Sequence, residues 1–147
     1  SLSVMPTELF SEKDQELITS AIQSAENETS GEIRVHLEKS CLGNVLDRAA
    51  QVFENLAMHK TKLRNGVLIY LAYEDRKFAI LGDAGINSAV PENFWDEIKI
   101  KMQSRFRAGH FVEGLCEGVE MAGKQLKSNF PRHGDDVNEL PDKISFG

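Results

Sequence analysis

Five carboxylates in this chain fall at the ends of expected strands or in the loops and first helical turn beside them: Glu38, Asp47, Glu74, Asp75 and Asp83. Loop carboxylates supply the hard oxygen donors that calcium and magnesium take. Glu74 and Asp75 occupy a tight charged reversal, Asp83 stands between Gly82 and Gly85, and Glu38 closes an alternating segment. Each also has a plainer explanation. Glu74 and Asp75 are ordinary members of a solvated hairpin turn, and a short acid such as Asp83 suits any turn. Asp47, three residues after Asn44, fits the first turn of a capped helix. Arg76 and Arg105 are of the type that holds a phosphate oxygen, although Arg105 and Arg107 equally suit the carbonyls of a helix end.

Covalent chemistry finds no foothold in the sequence. His36, His59, His110 and His133 form no HxxxH or HExxH pair, so the helix of a zinc hydrolase is absent. There is no GxSxG elbow, no GKS/T phosphate loop and no CxxxxxR phosphatase signature. Cys41 and Cys116 lie far apart without CxxC spacing and read as two plain thiols. Asp135 to Glu139 lacks the alternating acids and central glycine of an EF-hand loop. His36 lies on the polar side of its segment, where it would serve as a general base or simply belong to a half-exposed sheet face.

The elements that must position these residues follow from periodicity. Ser11 suits a helix N-cap with Glu12 and Asp14 in the first turn, and Ile18, Ala21, Ile22 and Ala25 recur at helical spacing to about Asn27. Ile33, Val35 and Leu37 alternate with Glu32, Arg34, His36 and Glu38, the pattern of a strand with one apolar face. Asn44 caps a second helix carrying Leu46, Ala49, Phe53, Leu56 and Ala57. Val67 to Ala72 is continuously apolar, as in a strand covered on both faces. Tyr73 to Arg76 turns the chain, and Phe78, Ile80 and Leu81 return it as a hairpin ending at Gly82.

A third helix is expected from Pro91, a good first-turn residue, with Trp95, Ile98, Met102 and Phe106 inward. A fourth runs from Phe111 to Ser128 on Leu115, Val119, Ala122 and Leu126. Gly114 and Gly118 sit one turn apart in it. Mid-helix glycine costs about 1 kcal/mol against alanine, so close approach of another backbone is expected there. The segment 131–147 reads as an irregular tail that folds back through Leu140, Ile144 and Phe146 onto a single domain of residues 1–130.

At 147 residues the chain is long enough for one sizeable core. A net charge of −6 argues against a nucleic-acid binder. No apolar run is long enough to span a bilayer. A monomer in the cytoplasm is expected; the chain opens on Ser1 rather than methionine, which leaves export after removal of a leader as the alternative.

Taken in order, the segments resemble the TPM-domain family, also called TPM phosphatase. That family includes plant thylakoid-lumen proteins linked to photosystem II repair and many bacterial proteins. The resemblance rests on Thr29-Ser30-Gly31-Glu32-Ile33, Asn65-Gly66-Val67-Leu68-Ile69, Asp75-Arg76-Lys77, Gly82-Asp83-Ala84-Gly85-Ile86 and Phe106-Arg107-Ala108-Gly109-His110-Phe111. It covers roughly Phe10 to Phe130. It implies an α/β/α sandwich with a Rossmann-like look, divalent-cation binding near acidic loops, and the acid phosphatase activity attributed to some members. The chain lacks the transmembrane helix and glycine-rich tail of longer members, and Asn138-Glu139-Leu140-Pro141-Asp142 looks like an ending of small bacterial forms.

The expected architecture is therefore α/β: a small mixed β-sheet in a three-layer sandwich, flanked by helices on both faces. A helix between the first two strands makes them parallel, and the short turn makes the third antiparallel to the second. Ligands of such sheets bind beyond the strand C-termini, an edge that gathers Glu38, the 40–44 loop, Asp47, Glu74, Asp75 and the end of the third helix. Asp83 belongs to the opposite edge as a second metal candidate. The expected function is a calcium- or magnesium-binding accessory module that contacts another protein. The competing expectation is a metal-assisted phosphomonoester hydrolase.

Overall fold

The structure, a computed structural model, describes residues 9–147. Helix α1 (Glu12–Glu26) starts on a reciprocal cap: Ser11 Oγ accepts from Asp14 N at 3.1 Å and Asp14 Oδ2 accepts from Ser11 N at 3.2 Å. Strand β1 (Glu32–Glu38) leads through a loop to α2 (Val45–Asn55), capped by Asn44, then to β2 (Gly66–Ala72) and β3 (Lys77–Gly82). A short helix α3 (Ala84–Asn87), α4 (Asp96–Arg107), α5 (Phe111–Leu126) and a two-residue strand β4 (Ser145–Phe146) complete the order.

The sheet runs β3-β2-β1-β4. β1 and β2 are parallel with Glu32 opposite Gly66 and Glu38 opposite Ala72, and β2 and β3 are antiparallel with Val67 opposite Gly82. Alternation along each strand divides the core in two. Ile33, Val35, Leu37, Val67, Ile69 and Leu71 face α1, α4 and α5, whereas Leu68, Tyr70, Ala72 and Ala79 face α2 and Leu140. Both faces of the sheet are covered, so the mixed sheet sits between helical layers as the sequence predicts. Gly114 and Gly118 are closely approached, but by side chains rather than by another backbone: a Cβ on Gly114 would lie 2.6 Å from Phe106 Cε1, and one on Gly118 2.5 Å from Met102 Sδ.

Several elements differ from expectation. The turn Gly82–Gly85 continues into α3, and the Pro91 helix begins only at Asp96. Residues 92–95 form turns, in which the Phe94 ring packs edge-on against Trp95 at 4.7 Å and the Phe94 carbonyl accepts from Gln125 Nε2. Tertiary packing there replaces the helical ladder. On α2 it is Val52, not the exposed Leu46, that joins Ala49 and Phe53 in the core, and Ala57 lies beyond the helix at φ 56°. The tail supplies a fourth strand, with Ser145 opposite His36 and Phe146 opposite Leu37. The alternating strand β1 is not half exposed. Glu32, His36 and Glu38 are all buried, because α2 and the tail cover the side that carries them.

Candidate functional site

The C-terminal ends of β1 and β2 form a rim built from loop 39–44, the first turns of α2 and the hairpin tip. Backbone pairing continues past the strands: Tyr73 N donates to Glu38 O and Glu74 N to Lys39 O, each at 2.9 Å. Asp75 Oδ2 accepts from Cys41 N at 2.8 Å, and Lys77 Nζ donates to Cys41 O at 2.9 Å. These bonds fasten the hairpin tip to the loop after Leu37, so the two share one edge as the parallel topology requires. The end of α4 arrives there too, because Arg76 Nη1 donates to Arg107 O at 2.7 Å and the Arg76 guanidinium lies 6.0 Å from the Phe111 ring centre. A groove of about 650 Å³ opens on this rim, lined by loop 39–44, Glu38, Asp47, Arg48, Gln51 and Gly147. Leu42 projects from its wall 99% exposed.

At the floor of the groove Glu38 is held from three sides. Arg48 donates Nε to Oε2 and Nη2 to Oε1, both at 2.8 Å. The Tyr70 hydroxyl donates to Oε2, and His36 Nε2 lies 3.2 Å from Oε1. Burial alone would raise the Glu38 pKa, but the hydrogen bonds from Arg48, Tyr70 and His36 outweigh it and hold the carboxyl at about 2. The same burial and the Glu38 carboxylate push the Tyr70 hydroxyl far above its usual range. His36 stacks on Tyr70 with ring centres 5.8 Å apart, and its Nδ1 lies 3.0 Å from Ser145 Oγ. Burial lowers the His36 pKa despite Glu38, leaving a neutral imidazole at pH 7.

The five candidate ligands therefore occupy different environments. Glu38 is committed to Arg48, Tyr70 and His36. Asp75 uses one oxygen on the Cys41 amide. Glu74 is exposed at the hairpin tip, and Asp47 stands exposed in the first turn of α2. Asp83 lies at the other end of β2, where it caps α3 through Ala84 N at 2.8 Å and takes a two-pronged contact from Arg64 at 2.7 and 2.8 Å. Burial raises its pKa, but Arg64 and the Ala84 amide bring it below the ordinary range. Among the described residues no three His, Cys, Asp or Glu side chains stand close enough together to share a metal ion. Arg105 is paired with Glu117 at 2.8 and 2.9 Å and so is occupied.

Sequence reasoning missed Arg48 and Tyr70 as members of this site. Tyr70 sits in a run that reads as wholly apolar, and Arg48 meets Glu38 only because loop 39–44 folds α2 back over the strand. The one available signal was the polar alternation Glu32, Arg34, His36 and Glu38, which marks a face needing partners when it is covered.

The TPM domain profile matches residues 3–125. The chain is similar in structure to the BA42 protein from the psychrophilic bacterium Bizionia argentinensis, solved by NMR, with 50% sequence identity, a TM-score of 0.89 and coverage of 94% of this chain and 95% of that one. It is also similar to the N-terminal domain of a Porphyromonas gingivalis protein (20% identity, TM-score 0.71, 90% and 85% covered). A third likeness, to the N-terminal domain of a Corynebacterium glutamicum protein, has 17% identity and a TM-score of 0.64 over 85% and 77% of the two chains. The last two share the fold alone. No curated protein matches the chain. No helix among the described residues is long and apolar enough to cross a membrane.

Proposed function

We propose that this chain, which belongs to the TPM-domain family, is a binding module whose rim at the β1 and β2 C-termini docks another protein. The carrying observation is Leu42, a large apolar side chain 99% exposed on the groove wall, above a carboxylate that the protein has already neutralised internally. Full exposure of a leucine gains nothing for folding, whereas an apolar centre beside polar surroundings is the anatomy of a protein interface.

A calcium or magnesium ion is part of the same proposal. It would be held by one or two of Glu74, Asp75 and Asp47, which keep oxygens free of side-chain cations at the rim but do not converge as a trio. These are suitably hard donors, but at their spacing the ion would complete its shell with loop carbonyls and water. Glu38 is excluded from that set by Arg48, and Asp83 by distance along β2. The ion would order loop 39–44 against the hairpin tip.

Metal-assisted phosphomonoester hydrolysis is the competing reading. Among the described residues that line the groove none is a hydroxyl or thiol bonded to a base: the Cys41 thiol is buried and faces the Gly43 carbonyl at 3.6 Å, while Tyr70 and Ser145, whose hydroxyls meet Glu38 and His36, lie outside the lining. Two measurements separate the readings. Calcium titrated to millimolar concentration should shift the amides of 40–47 and 74–75. If they stay fixed, the cation part fails. Release of phosphate from an aryl phosphate should not rise above background; metal-dependent turnover lost in Asp75→Ala would remove the module reading.

A further inference from the structure

Behind the groove, three side chains are bonded in the order hydroxyl, imidazole, carboxylate. Ser145 on β4 stands opposite His36 on β1, and its Oγ lies 3.0 Å from His36 Nδ1. On the other side of the ring, His36 Nε2 lies 3.2 Å from Glu38 Oε1. Arg48 holds the Glu38 carboxyl in its charged form, in which it can only accept. Nε2 must therefore carry the ring proton, and a neutral ring then leaves Nδ1 bare, facing the serine hydroxyl. We propose that Ser145, His36 and Glu38 form the nucleophile, base and orienting carboxylate of a site for acyl transfer from a carboxylic ester.

The surroundings of the three residues suit that chemistry. Tyr70 stacks on the imidazole and Arg48 grips Glu38 with two bonds, so the ring is oriented before any substrate arrives. The backbone of Gly147 closes over the imidazole–carboxylate bond: a Cβ there would overlap Glu38 Oε1 and lie 2.7 Å from His36 Nε2. Ser145 itself is only partly buried and belongs to the edge strand of the sheet, whose open side gives a substrate its approach. Arg34 precedes His36 by two positions on the same face of β1, and its Nη2 donates to Lys143 O at 3.3 Å, two residues before Ser145. Arg34 Nε is buried and makes no hydrogen bond. An unspent cationic donor one same-face step from the hydroxyl is of the type that steadies a developing oxyanion.

In the first step Ser145 Oγ bonds to the ester carbonyl carbon, the carbonyl π pair moves onto oxygen, and the hydroxyl proton passes to His36 Nδ1. The imidazolium so formed faces Glu38 through Nε2–H, which offsets the new charge. Collapse of the tetrahedral adduct breaks the bond to the alcohol oxygen, which takes the proton from Nδ1. Water then attacks the acyl-serine with Nδ1 again as base, and a carboxylic acid leaves. The ionisable groups facing His36 are Glu38 and Arg34 on β1, Tyr70 on β2 and Arg48 on α2. Burial lowers its pKa, Glu38 opposes that and the two arginines add to it, so the ring is a free base at pH 7. The proposal goes beyond the docking reading and stands whether or not the rim binds a partner.

The test is reaction of the full chain with a fluorophosphonate probe at pH 7, read by peptide mass, beside hydrolysis of p-nitrophenyl acetate. The expected results are an adduct on Ser145, formed with loss of fluoride, and ester turnover above that of the buffer. Ser145→Ala should lose the adduct and lower the turnover by about 100-fold or more, and His36→Gln should do the same. In the wild type the turnover should be level at pH 7 and fall only below the ordinary imidazole value of 6.5, as Nδ1 takes a proton. If either variant does not fold, the adduct and the pH profile of the wild type decide. Absence of an adduct on Ser145 in the folded chain would overturn the proposal, as would turnover equal in the wild type and Ser145→Ala.

Discussion

Replacing Arg48 by methionine probes the floor of the rim groove most directly. The Glu38 side chain is 8% exposed and receives two bonds of 2.8 Å from Arg48. Its carboxyl lies at about 2 against an ordinary 4.5. At 1.36 kcal/mol per pKa unit, the charged form is favoured in the folded protein by about 3 kcal/mol. Arg48 is itself 34% exposed, and Tyr70 and His36 share the stabilisation, so solvent screening trims its part. Against that, the uncharged thioether would leave a buried carboxylate without its counter-charge, which is costly in its own right. The expected loss in Arg48→Met is about 2–3 kcal/mol at pH 7, or roughly 5–10 °C in Tm. Because the Glu38 pKa is depressed, its contribution is complete above pH 4.5 and lost as pH falls towards 2. Urea unfolding at pH 7 and pH 3 should therefore show a smaller gap between wild type and variant at the lower pH. Adding Glu38→Gln should recover part of the pH 7 loss, since no bare charge remains. A loss below about 1 kcal/mol at pH 7, or one equal at both pH values, would refute the account.

Three further outcomes follow from single contacts. Gly118→Ala should destabilise by about 1–3 kcal/mol in thermal melts although alanine is the better helix former, because its Cβ would meet Met102 Sδ at 2.5 Å; a stabilised variant would show that the Met102 side chain moves aside at no cost. Leu42→Ser should change stability by less than about 0.5 kcal/mol, and in a pull-down with any partner that binds the rim it should weaken capture; a clear drop in Tm would mean that Leu42 packs in the folded chain. Asp83→Asn should cost about 1–2 kcal/mol in urea unfolding through loss of the charged contact with Arg64 and weakening of the α3 cap, while leaving the amides of loop 39–44 unmoved.

The local rules of the chain were readable where neighbours in sequence are neighbours in space. Ser11 and Asp14 form the reciprocal cap that their spacing implies, and Asn44 caps α2 through the amides of Leu46 and Asp47 at 2.9 and 3.1 Å. The common rim of the Glu38 loop and the hairpin tip followed from one parallel crossover and one tight turn. The helix expected at Pro91 begins only at Asp96, after turns in which Gln125, thirty-one residues away, takes the Phe94 carbonyl. β4 failed as well: two residues carry too short a period to announce a strand.

What the sequence determined by itself was the order of elements, the two-faced burial of β2, the close helix contact at Gly114 and Gly118, and the family to which the chain is similar. These depend on periodicity, caps and turn residues, which act over a few positions. Only the tertiary structure decided which carboxylates stay available. Glu38 is paired by a residue 10 positions away and by another 32 away, and Glu32 is met by a backbone amide 108 positions away. A carboxyl has the same appearance in sequence whether its partner will be water, a guanidinium or a second carboxyl. Its charge state is set by burial and by those distant partners, and both come into being only when the chain closes on itself.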